Sequence, residues 1–222
     1  MPKIISVSWR ESWLRDVIPN YGLEVAMTLK DVKELAHPAD IVLFLGGGDV
    51  APSIYGQVPV GTSAGIHGPS VRDKNEYAIM NHCIEKGIRM VGICRGAQLL
   101  CIGAGGELVQ DVNGHGHYHG ATIKGGRHIQ VNSTHHQMMR PRGTVHELLA
   151  WSTPLSTKYV VDEKNTDPID PATDFPLGEP EAIWFPIIRG LAIQWHPEHH
   201  TSSEYAKQAA SFVRKYILQE AA

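Results

Sequence analysis

Ile88-Arg89-Met90-Val91-Gly92-Ile93-Cys94-Arg95-Gly96-Ala97-Gln98-Leu99-Leu100 decides the fold. Residues 88–93 are apolar except for Arg89, the pattern of a strand covered on both faces. From Ala97 the chain reads as a helix. Cys94 sits at the junction with a glycine two residues to either side, the spacing of a nucleophile elbow, whose tight turn lifts a side chain above the sheet edge. Gly92 and Gly96 suit such a turn because its two arms pass close together. The helix start beneath the sulfur favours a thiolate. Cys94 is therefore the candidate nucleophile, and Cys83 and Cys101 read as inert buried thiols.

Upstream, residues 72–86 form a helical pattern, with Ile79, Met80, Cys83 and Ile84 on one face and Gly87 where a C-terminal glycine belongs. Residues 3–8, 23–28 and 41–45 are strand candidates, and 11–18 is a helix stopped by Pro19. This rhythm predicts βαβ units with right-handed crossovers. Downstream the pattern changes. Residues 105–200 are rich in glycine, histidine and proline, with short β-like runs at 128–131, 159–161, 182–184 and 191–194. The proline-rich, acidic stretch 162–180 reads as an extended surface loop. Residues 202–218 read as an amphipathic helix with Thr201 and Glu204 at capping-box spacing.

A cysteine nucleophile needs a base and a group to orient it. Gln194-Trp195-His196-Pro197-Glu198 follows an apolar run, so His196 stands at a strand end, and Glu198 can reach its far ring nitrogen. Pro197 argues against a helix, and no HExxH metal motif is present. An oxyanion hole needs backbone N–H groups. Gly47 or Gly48, in the triple glycine 46–48 after the 41–45 strand, supplies one, and the amide of Arg95 supplies the other. Neither GxxxxGK[ST] nor GxGxxG occurs, so nothing points to a bound nucleotide.

The whole chain sets the limits. Its 222 residues carry 20 basic and 23 acidic side chains, a net charge of −3, and 42% apolar residues. Length and composition suit one globular domain over 1–222. The charge balance argues against nucleic acid. No window is apolar enough to span a membrane, and no leader peptide is evident. Three cysteines without a CxxC motif suit a reducing cytoplasm. Thirteen histidines invite a metal reading, best in Gly114-His115-Gly116-His117-Tyr118-His119-Gly120, where an extended chain would put three rings on one side. The glycines make that loop flexible, and Asp111 is the only carboxylate close by in sequence. The expectation is a substrate-facing or solvated loop with no metal. His199 and His200 read as solvated.

The elbow, the glycine turn and the histidine segment together resemble the class I glutamine amidotransferase-like superfamily. Within it they are most similar to the γ-glutamyl-γ-aminobutyrate hydrolase group of γ-glutamyl hydrolases. Residues 45–56 (LGGGDVAPSIYG), Arg72-Asp73-x-x-Glu76, Gly105 to Asp111, Val131-Asn132-Ser133-Thr134-His135-His136-Gln137 and Gln194 to Glu198 carry the resemblance beside the elbow. It implies a flavodoxin-like α/β sandwich of three layers with a mostly parallel central sheet. It implies hydrolysis of a γ-glutamyl amide through a thioester on Cys94, with His196 as base then acid and Glu198 orienting it. Gln98, Ser133, Thr134 and His135 would lie near the glutamyl α-amino and α-carboxylate groups. The stretches 114–120 and 162–180 depart from the group's pattern, where leaving-group recognition should lie. No cofactor is implied. The partner is a small γ-glutamyl substrate, with a homodimer or a separate synthetase subunit as choices of assembly. The rival readings are an ammonia-donating glutaminase subunit and a catalytically silent binding or regulatory protein of the same fold.

Overall fold

The computed structural model describes residues 1–60, 67–153, 155–162 and 168–220. A nine-stranded sheet organises them. Its order runs Gly22–Ala26, Lys3–Val7, Ile41–Phe44, Arg89–Ile93, Gly190–Ile193, Glu179–Phe185, Glu147–Ser152, His119–Ile123, His128–Val131. The first five strands are parallel. Counted within this parallel part, their order is 2-1-3-4-5, the flavodoxin-like winding expected from the sequence. The last four extend the sheet as an antiparallel wing. That wing accounts for the change of pattern in the second half of the chain.

Strand residues alternate between two cores, as the two-residue period of a strand requires. Ile4, Ile41, Leu43, Val91, Ile93, Leu191 and Ile193 face one core, with Trp13 and Leu14 from the helix Trp13–Val17 and Tyr205, Ala209 and Phe212 from Glu204–Phe212. Ile5, Val7, Val42, Phe44, Met90 and Ala192 face the other, with Val32, Ile79, Met80, Cys83, Leu99 and Leu100 from the helices Leu29–Leu35, Val71–Lys86 and Arg95–Gly103. Helices therefore cover both faces. The wing curls: Ala121, Ile123, Ile129 and Val131 join the first core beside Tyr205 and Phe212.

Several local expectations change. The helix Leu29–Leu35 was not anticipated; a capping box between Thr28 and Asp31 starts it, but it buries only Val32, so its periodic signal is faint. The C-terminal helix is capped by Ser203, whose hydroxyl accepts the Ala206 N–H, and not by Thr201. It ends in a π-helical turn, Val213–Ile217. The stretch 162–180 is not wholly loop. Residues 163–167 lie outside the described residues, Pro171–Asp174 is a short helix, and Glu179 and Pro180 open the buried strand Glu179–Phe185. Proline is tolerated there beside a register shift in the facing strand at Ala150–Trp151.

Candidate active site

Three adjacent parallel strands end side by side at their carboxyl edge. Ile41–Phe44 runs into the glycine turn, Arg89–Ile93 into Cys94, and Gly190–Ile193 toward His196. Cys94 adopts φ 50° and ψ −106°, a conformation that L-residues rarely take, between the strand and the helix Arg95–Gly103. Its N–H donates to the Ile193 carbonyl at 2.8 Å, tying the elbow to the neighbouring strand. The flanking glycines are sterically required. A Cβ on Gly92 would lie 2.4 Å from the Gly96 carbonyl, and one on Gly96 would lie 2.3 Å from the Phe44 oxygen. Burial pushes the Cys83 thiol up to about 12 and raises Cys101 too, which suits two unreactive thiols.

His196 is buried, and its Nδ1 lies 2.7 Å from Glu198 Oε1. Its Nε2 is 3.3 Å from Thr134 Oγ1. Burial alone would lower its pKa; hydrogen bonds and negative charge from Cys94 and Glu198 outweigh that and raise it to about 10. Asn132 holds the backbone of His196 through two hydrogen bonds. His199, exposed as expected, stacks on the His196 ring with centroids 4.5 Å apart. Gly46 makes room for the ring: a Cβ there would come within 2.7 Å of His196 Cε1.

A cavity of about 630 Å³ opens above these groups, lined by Gly47, Gly48, Asp49, Cys94, Gln98, Thr134, His135, His136, Gln137 and His196. The family model described as Peptidase C26 matches residues 10–124, just over half of the chain. The chain belongs to the Peptidase C26 family. A glutamine amidotransferase-like protein of Lactococcus lactis, YvdE, is 27% identical over 208 residues, covering 90% of this chain and 84% of its own. A Mycobacterium tuberculosis protein named as a glutamine amidotransferase is 32% identical over 164 residues; these cover 71% of this chain but 50% of that longer one. Among solved structures, a protein from Thermoplasma acidophilum described as a GMP synthase subunit matches with a TM-score of 0.58 at 15% identity, over 99% of both chains. A glutamine amidotransferase from Thermotoga maritima matches with a TM-score of 0.56 at 15% identity, over 98% of this chain and 84% of that one. At such identities the two structures speak for the fold. The chain is thus a glutamine amidotransferase-like protein of the Peptidase C26 family.

Most residues singled out in the sequence of this Peptidase C26 protein meet at the cavity. Gln98 lines it and donates from Nε2 to the Gln137 carbonyl at 2.8 Å. Ser133 is not among the lining residues; its hydroxyl donates to the His115 carbonyl. Arg95 opens its helix, so its N–H is one of the four without an intrahelical acceptor. Its side chain is buried in a different role. The guanidinium bonds Asp73 Oδ1 at 2.5 Å and Glu76 Oε2, while Arg72 Nε bonds Glu76 Oε1 at 2.7 Å. Arg72 Nη2 also donates to the carbonyls of Leu45 (3.1 Å) and Gly46 (2.9 Å). Gly47, at φ +142°, passes so close that a Cβ would lie 2.1 Å from Arg72 Nη1. A buried ion network thus joins the glycine turn to the elbow helix.

Three further residues of the cavity wall had no individual role in the sequence reading. Asp49 Oδ1 lies 3.1 Å from His136 Nε2, and His136 Nδ1 lies 3.3 Å from Asp111 Oδ1. Gln137 completes the wall. A polar residue directly after a strand-end glycine turn was the signal that could have found Asp49. The histidine loop behaves differently from its expectation. His117 is exposed, but His115 and His119 are buried against Glu179 and Glu181, carboxylates some 60 residues away in sequence.

Proposed function

We propose that this protein hydrolyses γ-glutamyl amides through a thioester on Cys94. The observation that carries the reading is the meeting of Cys94, His196 and the glycine turn in the wall of one cavity, with Glu198 hydrogen-bonded to His196. The Cys94 thiolate attacks the γ-carbonyl carbon, and the electron pair moves onto oxygen. Backbone N–H groups of Arg95 and of Gly47 or Gly48 receive that oxyanion. As the tetrahedral centre collapses, His196 gives its proton to the departing nitrogen and the C–N bond breaks. Water then attacks the thioester, His196 takes the water proton, and the C–S bond breaks to release glutamate and the thiolate. Glu198 holds the ring and stabilises its charged form. Gln98 and Thr134 face the glutamyl portion, His135 forms part of the wall around it, and Asp49 offers a carboxylate to an ammonium group.

A second reading is an ammonia-donating subunit for a partner synthetase. The fold match to a structure described as a GMP synthase subunit favours it; Asp49, His136 and Gln137 in the cavity wall favour the free-standing hydrolase. Glutamate release is measured from L-glutamine and a panel of γ-glutamyl amines, for wild type and Cys94→Ala. The hydrolase reading expects turnover of γ-glutamyl amines without a partner, abolished in Cys94→Ala. Undiminished turnover in that variant overturns the nucleophile; turnover of glutamine alone assigns the ammonia-donating role.

A further inference from the structure

Beside the cavity, three buried side chains with metal-ligating atoms cluster. His115 comes from the glycine-histidine loop, His135 from the segment after the edge strand, and Glu181 from the strand Glu179–Phe185. One ligand atom from each lies within 4.8 Å of the others.

The hydrogen bonds around them show which atoms are left for an ion. Glu179 accepts from the Leu155 N–H (2.8 Å), the Ser156 N–H (3.1 Å) and the Tyr159 hydroxyl (2.7 Å). So many donors hold it as a carboxylate, and His115 Nε2, 3.0 Å from Glu179 Oε2, donates to it. His115 Nδ1 makes no hydrogen bond; it is 3.6 Å from Glu181 Oε1, too far for one. In His135 the same logic applies: Nδ1 donates to the Gln137 carbonyl at 2.9 Å, so Nε2 carries the lone pair. Glu181 uses Oε1 to accept from His119 Nε2 at 2.7 Å and leaves Oε2 over. His115 Nδ1, His135 Nε2 and Glu181 Oε2 are all buried without a hydrogen-bond partner. Each such atom destabilises the fold when nothing meets it.

We infer that His115 Nδ1, His135 Nε2 and Glu181 bind one divalent transition ion of the zinc class. Two imidazole nitrogens and one carboxylate oxygen suit that class better than Mg²⁺ or Ca²⁺, which prefer all-oxygen shells. The outer contacts are those of a metal site: each histidine donates its other N–H, one to a carboxylate and one to a backbone carbonyl. Ligands about 3.4 Å apart, as a tetrahedral zinc with bonds of roughly 2.1 Å requires, need only modest side-chain shifts from the separations present. The ion would pin the loop of His115 and the cavity-wall segment of His135 onto the antiparallel wing. The site is not the alternating His115-His117-His119 set of the sequence reading, because His117 points outward. It also does not rest on the proposed chemistry at Cys94.

The test uses the full chain in a Cys94→Ala background, which removes the thiol as a competing ligand. The protein is treated with EDTA, desalted and titrated with Zn²⁺ against a chromophoric chelator, and the bound metal is counted by elemental analysis. One Zn²⁺ per chain is expected, weakened at least tenfold in His135→Asn and in Glu181→Gln and unchanged in His117→Ala. Circular dichroism shows whether each variant is folded, and Glu181→Gln, which keeps an acceptor for His119, stands in if His135→Asn is not. Two results overturn the site: no stoichiometric uptake by the folded parent, or uptake undiminished in a folded His135→Asn or Glu181→Gln variant.

Discussion

Asn132 grips the main chain of His196 from both sides: its amide donates to the His196 carbonyl at 3.0 Å, and its oxygen accepts the His196 N–H at 2.9 Å. Both residues are buried, so this clamp fixes where the imidazole stands over Cys94. In Asn132→Asp the donor is lost while the shape is kept. We expect kcat to fall about 10–100-fold with KM nearly constant, because misplacement of a reacting group by about 1 Å costs up to 100-fold. The leftover buried carbonyl should cost about 1–3 kcal/mol in urea unfolding. Wild-type kcat in this variant would show that His196 is held by other contacts.

Gly46→Ala places a methyl group 2.7 Å from His196 Cε1. The ring must swing away from Cys94 or the glycine turn must move. Turnover is expected to fall by about 100-fold or more, with a small change in melting temperature. By contrast, Gly48→Ala meets open space and should be mild. Equal losses in the two variants would defeat this steric account.

His196 titrates high, at about 10, because Cys94 and Glu198 together favour its charged form over the penalty of burial. The imidazolium is the proposed acid for the leaving nitrogen, so the alkaline limb of kcat/KM should fall near pH 10. The same shift acts on stability. A folded pKa above the ordinary value makes a contribution that is complete below about pH 6.5 and lost as pH rises through about 10. Glu198→Gln should move both limbs toward lower pH. Rate profiles and urea unfolding between pH 6 and 11 check the two together.

Arg95→Met removes one cation from a buried set that includes Asp73 and Glu76. The carboxylates left behind should cost about 3–5 kcal/mol, the usual penalty for breaking a buried pair from one side. Urea unfolding reads this directly. A loss below about 1 kcal/mol would mean that water or Arg72 takes over the lost contacts.

The parallel half of the fold was legible because its signals are local. The glycines around Cys94 and after Phe44 mark close backbone contacts, and apolar runs mark covered strands. His196 and Glu198 lie two residues apart, so their pairing was legible too. The partners of His115 and His119 were not. Glu179 and Glu181 approach from a strand whose start carries Pro180 and an acidic neighbourhood, the look of a loop. Only the antiparallel pairing of that strand brings its carboxylates to the histidines. The Arg72–Glu76–Arg95 network was hidden for a related reason: a charged residue looks solvated until its partners are placed.

The curl of the wing has a mechanical consequence. His128–Val131 stands four places from Gly190–Ile193 in the sheet order, about 19 Å at roughly 4.8 Å per step in a flat sheet. Yet Asn132, one residue past that edge strand, touches His196, three residues past the other. The bend that closes this distance wraps around the helix Glu204–Phe212, through Ile129, Val131, Tyr205 and Phe212. The C-terminal helix therefore works as a former over which the sheet is shaped. Residues that never meet a substrate set the aperture of the site, and thinning that helix should loosen the reaction geometry before it loosens the fold.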